Sequence, residues 1–169
     1  MDGENTSMYR DHIHARSLDS KHHPSRTVVK QLHGQIAHDI PEGWRLCGEN
    51  MYAKHSIFYD ALPSYFLLFS IWSDNNKCFS WQATQELAEM FGLDMVPVLY
   101  AGLWDEEKIK ACWTEKSLYG PEQEGYVVRT VGEFDYDDFS KNVAKFVRKG
   151  HVQTDQFWMT QPVFPNQLA

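Results

Sequence analysis

An eight-residue segment, residues 65–72, constrains the fold of this chain more than any other part of the sequence. Every residue in it except Ser70 is apolar or aromatic, and aromatic and bulky aliphatic side chains favour strands. The segment is shorter than a typical helix, and turn residues follow it at 74–76. It therefore predicts a buried β-strand.

Turn signals between short apolar runs predict further strands. The polar turn at residues 74–77 predicts a partner strand immediately after it, and Asp11 and His12 lie where the turn of a hairpin would fall. The additional strands are predicted at residues 6–9, 13–16, 44–49, 78–81, 96–100 and 125–129. Short strands joined by tight turns favour an antiparallel sheet.

Helical periodicity and helix-ending residues predict helices between these strands. Thr84 is predicted to cap one helix and Gly92 to end it. Residues 139–148 suit either a helix or a strand, and the sequence leaves that choice open. The predicted helices are residues 27–38, 85–91 and 105–113. The expected fold class is α+β, with an antiparallel sheet and short helices.

Composition limits the class of protein. With 43% of its 169 residues hydrophobic, the chain is expected to form one domain, residues 1–169, with a substantial core. A net charge of −7 argues against a non-specific nucleic-acid coat protein, but it is compatible with a local basic cleft. Three widely spaced cysteines favour reduced thiols. The sequence shows neither a transmembrane-length apolar run nor a signal peptide, so we expect a cytoplasmic protein.

Five short motifs contain most of the residues that could carry chemistry. Each is weak alone, because Asp-Gly usually marks a turn and isolated charged residues are usually solvated. The motifs are Asp2-Gly3-Glu4-Asn5 followed by Arg16, then Gly48-Glu49-Asn50, then residues 66–72 with Phe69, then Glu124-Gly125-Tyr126-Val127-Val128-Arg129, and finally Lys145. Their joint order is what indicates a function.

In this order the motifs resemble those of ATP-dependent RNA ligases of the phage RNA ligase 2 type, in the covalent nucleotidyltransferase superfamily. The resemblance covers residues 1 to about 148. It implies a nucleotidyltransferase (adenylation-domain) fold. It also implies an enzyme that joins RNA 5′-phosphate and 3′-hydroxyl ends through adenylated intermediates. ATP (bound as AMP) and Mg²⁺ or Mn²⁺ would be the cofactors, RNA ends the partners, and a monomer the expected state.

The same resemblance implies a role for particular residues. Phe69 would stack on adenine and Glu49 would accept hydrogen bonds from the ribose hydroxyls. Lys145 and Glu124 are the expected catalytic residues, Lys145 as a cation at the α-phosphate and Glu124 as the metal ligand or a partner of the nucleophilic lysine. The residues expected to bind the nucleotide are Asp2, Gly3, Asn5, Arg16, Glu49, Phe69, Glu124 and Lys145.

The chain departs from the family pattern at three positions. The family motif is Lys-x-Asp-Gly-x-Asn, and Met1 occupies the position after the lysine, so the nucleophile is absent. We therefore expect a truncation just after that lysine and loss of the first reaction step. Ser70 replaces a residue that is often acidic in the family, and Arg148 lies one residue too far to replace the second lysine of a Lys-x-Lys pair.

Two other interpretations remain open. A non-catalytic pseudo-ligase would bind a nucleotide or an RNA end without the nucleophile, and a lysine codon directly before Met1 would argue against it. A structural α+β domain whose motifs match by accident is the third. A histidine-based metal site is not expected, because no Cys or carboxylate lies at zinc spacing. His55 follows Glu49 closely and either lines the same cleft or has a surface or packing role. The sequence does not distinguish a nick, a splint or a tRNA break as substrate.

Overall fold

Two antiparallel sheets, one of six strands and one of two, form the frame of the protein. The computed structural model describes residues 1–17, 22–150 and 162–169. The strands are β1 Glu4–Met8, β2 Ile13–Ala15, β3 Arg45–Asn50, β4 Phe66–Trp72, β5 Lys77–Cys78, β6 Gly125–Arg129, β7 Phe134–Asp135 and β8 Val143–Val147. The α-helices are α1 Thr27–Ile36, α2 Trp81–Phe91, α3 Glu106–Ala111 and α4 Phe139–Asn142. Short 3-10 turns lie at Pro24–Arg26, Ala37–Asp39 and Tyr136–Asp138.

The larger sheet has the strand order β2-β1-β3-β4-β5-β7, with antiparallel neighbours throughout. Strand β4 lies inside this sheet, and all of its residues except Phe69 are buried. The predictions of a buried strand at 65–72 and of the first hairpin are therefore confirmed. In that hairpin Met8 pairs with Ile13, and the Tyr9 amide donates to the His12 carbonyl at 2.8 Å.

A bulge interrupts the pairing of β3 with β4. Cys47 pairs with Ser70, but the next residue, Gly48, pairs with Leu68, so Phe69 has no residue directly opposite. Bulges of this kind turn one side chain away from the regular alternation. A Cβ atom on Gly48 would overlap the Phe66 ring, so glycine is required where the two strands approach here.

Helices α1 and α2 cover one face of the larger sheet. The buried residues of this core are Met8, Val29, Ile36, Ile40, Leu46, Phe66, Leu68, Ile71, Ala88, Phe91 and Leu93. The prediction of a helix over 27–38 is confirmed by α1 and the 3-10 turn after it.

The predicted cap of the second helix is wrong. The helix begins at Trp81, and the Ser80 hydroxyl accepts the Ala83 amide at 3.2 Å, so Ser80 is the N-cap. Thr84 lies inside the helix, and its hydroxyl donates to the Ser80 carbonyl at 2.8 Å. Because the helix starts early, the predicted strand at 78–81 shortens to β5. Gly92 ends α2 in the left-handed conformation, with φ of 65°, as predicted.

The predicted strand at 96–100 is also wrong. Strand β5 pairs with β4 near Trp72, so the backbone of Leu68 remains open on that side. The backbone groups of Leu68 bond to the segment after α2: its amide donates to the Asp94 carbonyl at 2.9 Å, and its carbonyl accepts from the Val96 amide at 3.0 Å. The bridge is limited to Met95. The predicted helix at 105–113 is confirmed, with Asp105 as N-cap of α3.

The smaller sheet pairs β6 with β8 and lies over the other face of the larger sheet. Residues 139–148 adopt both of the candidate structures, one turn of helix in α4 followed by β8. Val143 packs with Phe69 against the buried cluster Cys47, Trp72, Cys78 and Phe134, and Arg129 Nη2 donates to the Phe79 carbonyl at 3.0 Å. We call the region between the facing surfaces of the two sheets the cleft.

Residues 162–169 lie along the segment that connects β3 to β4. Asn166 is 1% exposed. Its side-chain oxygen accepts the Tyr59 amide at 2.9 Å, and its side-chain nitrogen donates to the Met51 carbonyl at 2.7 Å. No helix in the described part of the chain has the length and apolarity needed to cross a membrane.

Candidate functional site

The site is built around the end of β1, where the first motif meets β3. Asn5 pairs with Glu49, and the Gly3 amide donates to Glu49 Oε1 at 3.1 Å. A Cβ atom on Gly3 would lie 2.6 Å from the Asn50 carbonyl oxygen, so a larger residue would push the strands apart. The glycine of the motif thus lets the backbone approach closely enough to orient the Glu49 carboxylate.

Asp2 organises the segment beneath the site. Its Oδ2 atom accepts the amides of Ser56 at 2.7 Å and Ile57 at 3.0 Å, and its own amide donates to the Tyr59 hydroxyl at 3.0 Å. These bonds tie the first motif to the connection between β3 and β4. Because Tyr59 is also held by Asn166, the C-terminal segment is linked to the site through one residue.

Two carboxylates and one amine meet at the mouth of the cleft. The backbone nitrogen of Met1 lies 4.0 Å from Glu124 Oε2, and both side chains are mostly buried, at 13% and 15% exposed. Burial raises the pKa of Glu49 to about 7. The amine and the Gly3 amide oppose that rise, whereas the charges of Glu124 and Asp2 add to it. The site is therefore negative and partly desolvated. In the part of the chain that the structure describes, no group of three or more His, Cys, Asp or Glu could hold a metal ion by itself.

Phe69 and Lys145 occupy the facing walls of the cleft. Phe69 is half-buried at the bulge, and the adjacent Ser70 is buried and accepts the Trp72 indole N–H at 3.1 Å. Lys145 is exposed and pairs with Val127. Alternate residues share one face of a strand, so Lys145 lies on the same face of β8 as Val143, which packs toward the larger sheet.

Arg16 lies just beyond β2 and is exposed. Within the described residues neither Arg16 nor Lys145 forms an ion pair, so both cations are available to a ligand. The structure therefore brings Asp2, Gly3, Asn5, Glu49 and Glu124 into direct or one-step contact around the Met1 nitrogen. Phe69 lies at the bulge of β4, Arg16 directly after β2 and Lys145 on β8, and among the described contacts none joins them to the two carboxylates.

A buried ion pair that was not predicted from the sequence lies next to the site, between Glu4 and Arg26. Glu4 accepts from Arg26 Nε at 2.7 Å and also from its Nη2, and both side chains are below 10% exposed. Opposite Glu4, the side-chain nitrogen of Asn50 (Nδ2) donates to the Ser25 carbonyl at 3.2 Å. The available signal was the alternation along β1, which directs Glu4 away from Asn5.

His55 lies near the first motif. It is half-buried; desolvation lowers its pKa, and the nearby carboxylates of Asp2 and Glu4 oppose that shift. His55 is therefore close to the first motif and off the open surface, a position that fits both a place in the cleft and a packing role.

A comparison with protein-family models gives one match, to the family described as RNA ligase, over residues 1–147. The chain belongs to the RNA ligase family. The match spans all five motifs and ends with β8, so the contacts of Asn166 come from outside the matched region. No curated protein and no solved structure matches the chain.

Proposed function

We propose that this protein is the nucleotidyltransferase domain of an ATP-dependent RNA ligase of the RNA ligase 2 type, and that its nucleophilic lysine precedes Met1. The supporting observation is the position of the Met1 nitrogen beside Glu124, at 4.0 Å, in a site that also contains Glu49. A lysine added there would begin its side chain at the mouth of the cleft. Desolvation lowers the pKa of an amine and makes it a better nucleophile, whereas neighbouring carboxylates favour the charged amine until a bound cation offsets them.

The proposed reaction has three displacements at phosphorus. The lysine amine attacks the α-phosphate of ATP, a P–N bond forms, the bond to pyrophosphate breaks, and the amine loses a proton. An RNA 5′-phosphate oxygen then displaces the lysine and receives AMP. Finally, an RNA 3′-hydroxyl attacks that 5′-phosphate, loses its proton and releases AMP. Such chemistry depends mainly on positioning and on neutralising negative charge.

The residues around the cleft match these needs. Phe69, turned out at the bulge, offers a ring face for adenine, and Glu49 offers acceptor oxygens for the ribose hydroxyls. Arg16 and Lys145 supply exposed cations for the phosphates. Asp2, Gly3 and Asn5 would fix the geometry of the nucleotide-binding edge.

Two neighbouring carboxylates support a place for a divalent cation. Glu124 and Glu49 are close enough to interact electrostatically, and burial, the main cause of the raised pKa of Glu49, leaves these hard oxygens with little water. Among the described residues no group of three or more His, Cys, Asp or Glu could hold a metal ion, so most of the ligands would have to come from the nucleotide. We propose that Glu124 holds Mg²⁺ or Mn²⁺ together with phosphate oxygens. The ion would neutralise charge on the phosphates.

A non-catalytic pseudo-ligase is the alternative, and two assays of the present chain test the choice. With radiolabelled ATP and Mg²⁺ we expect no covalent AMP adduct, because the lysine amine is absent. With a pre-adenylated RNA and an RNA 3′-hydroxyl we expect sealing, because that step does not use the lysine. Failure to seal, together with a codon other than lysine before Met1, would favour the pseudo-ligase.

A further inference from the structure

We propose that the rings of Tyr9, His12 and His14 form a stacking platform for single-stranded RNA beside the nucleotide site. The inference rests on the proposed function, because it takes RNA as the substrate. The Tyr9 and His12 rings are 4.5 Å apart at 9°, and His14 lies 5.7 Å from Tyr9 and 6.0 Å from His12, also stacked. Aromatic faces bind bases with little dependence on sequence.

Hydrogen bonds hold these rings in place before any ligand binds. His12 Nδ1 lies 2.7 Å from Asp11 Oδ1, and His14 Nδ1 donates to the Ala15 carbonyl at 2.6 Å. Helix α1 holds the backbone of Tyr9, because His33 Nε2 donates to the Tyr9 backbone carbonyl at 2.6 Å. Preorganisation reduces the entropy that binding would otherwise cost.

Burial in a core does not account for the stack. Tyr9 and His14 are half-buried, and Tyr9 belongs to none of the hydrophobic clusters of the described residues. The His12 side chain is 53% exposed. The stack therefore presents aromatic surface to solvent, where a base can reach it.

The platform lies on the cleft side of the sheet. His14 pairs with Ser7, and the Ser7 hydroxyl is 3.5 Å from the Cys47 sulfur, which belongs to the cluster under the smaller sheet. Asn5 is two residues from Ser7 on the same strand and pairs with Glu49. Two residues along a strand span about 7 Å. An RNA strand with its terminal phosphate at the site would therefore place its next bases over the rings.

Local charge favours the β2 side of the platform for the RNA backbone. The net charge of −7 means that attraction must come from local cations. Arg10 lies between two of the ring residues in the sequence, Arg16 follows all three, and both arginines are exposed. A depression of about 540 Å³ beside Tyr9 is lined by Arg10 and by the acidic residues Asp11 and Glu42. Because these two carboxylates offset the charge of Arg10 there, the RNA backbone would run past Arg16.

Fluorescence anisotropy with a labelled 5′-phosphorylated single-stranded RNA tests the platform in the full chain. The double variant Tyr9→Ala, His12→Ala is expected to raise the Kd roughly 10- to 100-fold, from the cost of losing base stacking. Tyr9→Phe keeps the ring and should change the Kd less than about twofold. His38→Ala removes an exposed histidine from the far end of α1 and is the matched control, with no change expected.

ATP binding and thermal unfolding of each variant separate this inference from the proposed function. Unchanged ATP binding with weakened RNA binding supports the platform. RNA binding equal to that of the unsubstituted chain, or no RNA binding by the unsubstituted chain, overturns it. If the double variant unfolds, the exposed single variant His12→Ala replaces it, with a roughly fivefold increase in Kd expected. If the unsubstituted chain does not bind ATP, the result counts against the proposed function instead.

Discussion

The Gly3 amide donates a hydrogen bond to the Glu49 carboxylate at 3.1 Å, across the pairing of β1 with β3. The bond connects two motifs that are 46 residues apart in the sequence. The bond orients the Glu49 carboxylate, which lies near Glu124 and the Met1 nitrogen. Burial raises the pKa of this carboxylate to about 7. The first motif therefore acts as structural support for the site as well as a candidate ligand.

Gly3→Ala should destabilise the protein. The new Cβ would lie 2.6 Å from the Asn50 carbonyl oxygen, a backbone atom, so the strand pairing must shift. Overpacking of this kind typically costs about 1–3 kcal/mol. Urea unfolding measures the change in free energy. The control is Gly34→Ala in α1, where a Cβ meets nothing within 4 Å and stability should rise by roughly 0.5–1 kcal/mol. Equal effects of the two substitutions would contradict this account.

Glu49→Gln should stabilise the protein increasingly as pH rises. The pKa of Glu49 is raised from 4.5 to about 7 in the folded state. The folded state thus holds its proton more tightly, so this contribution to stability is complete below about pH 4.5 and is lost as pH rises through about 7. Glutamine cannot ionise, so the variant should gain up to about 3 kcal/mol relative to the unsubstituted chain between pH 4.5 and pH 8. Urea unfolding at the two pH values checks this, and a difference that does not change with pH would refute it.

Asn166→Ala should cost stability although it lies outside the matched family region. The substitution leaves the buried Tyr59 amide and Met51 carbonyl without their side-chain partner. Two such losses predict about 2–4 kcal/mol of destabilisation. Gln167→Ala is the control, because Gln167 is exposed and bonds through its backbone, and we expect less than about 0.5 kcal/mol. Thermal unfolding of both variants is the measurement, and similar melting temperatures would show that the segment is not anchored through Asn166.

Lys145→Ala should slow the sealing of pre-adenylated RNA without loss of stability. Lys145 is exposed and makes no ion pair within the described residues, so its removal should leave folding unchanged. If it stabilises the transition-state charge, the rate should fall by about 10²-fold or more. Lys149→Ala is the control, since Lys149 is also exposed and follows β8. Equal sealing rates for the two variants would remove Lys145 from the reaction.

Sequence patterns predicted the elements whose signals are local. The apolar run of β4, the hairpin turn and the Gly92 helix end each depend on neighbouring residues, and the structure confirms them. The predicted strand at 96–100 failed because strand formation needs a partner. The available edge of β4 accommodates the single bridge at Met95.

The supporting parts of the site depend on long-range contacts. The Glu4–Arg26 pair and the bonds of Asn166 join segments that no local pattern connects. Residues 139–148 contain two elements, one turn of helix followed by a strand. The strand forms because it pairs with β6, which no local pattern in residues 139–148 reveals. The motif order predicted a set of nucleotide-binding residues whose roles stay predictions, and it did not predict the bulge that turns the Phe69 side chain outward.

The most direct test of the account adds the proposed lysine before Met1. Two longer chains are compared, one with lysine and one with arginine directly before Met1, each incubated with ATP and Mg²⁺ and examined by intact-mass spectrometry. The account predicts a gain of one AMP, labile to acid as a P–N bond is, in the lysine chain alone. An unmodified lysine chain, in a preparation that folds and binds ATP, would contradict the assignment of this site to adenylate transfer.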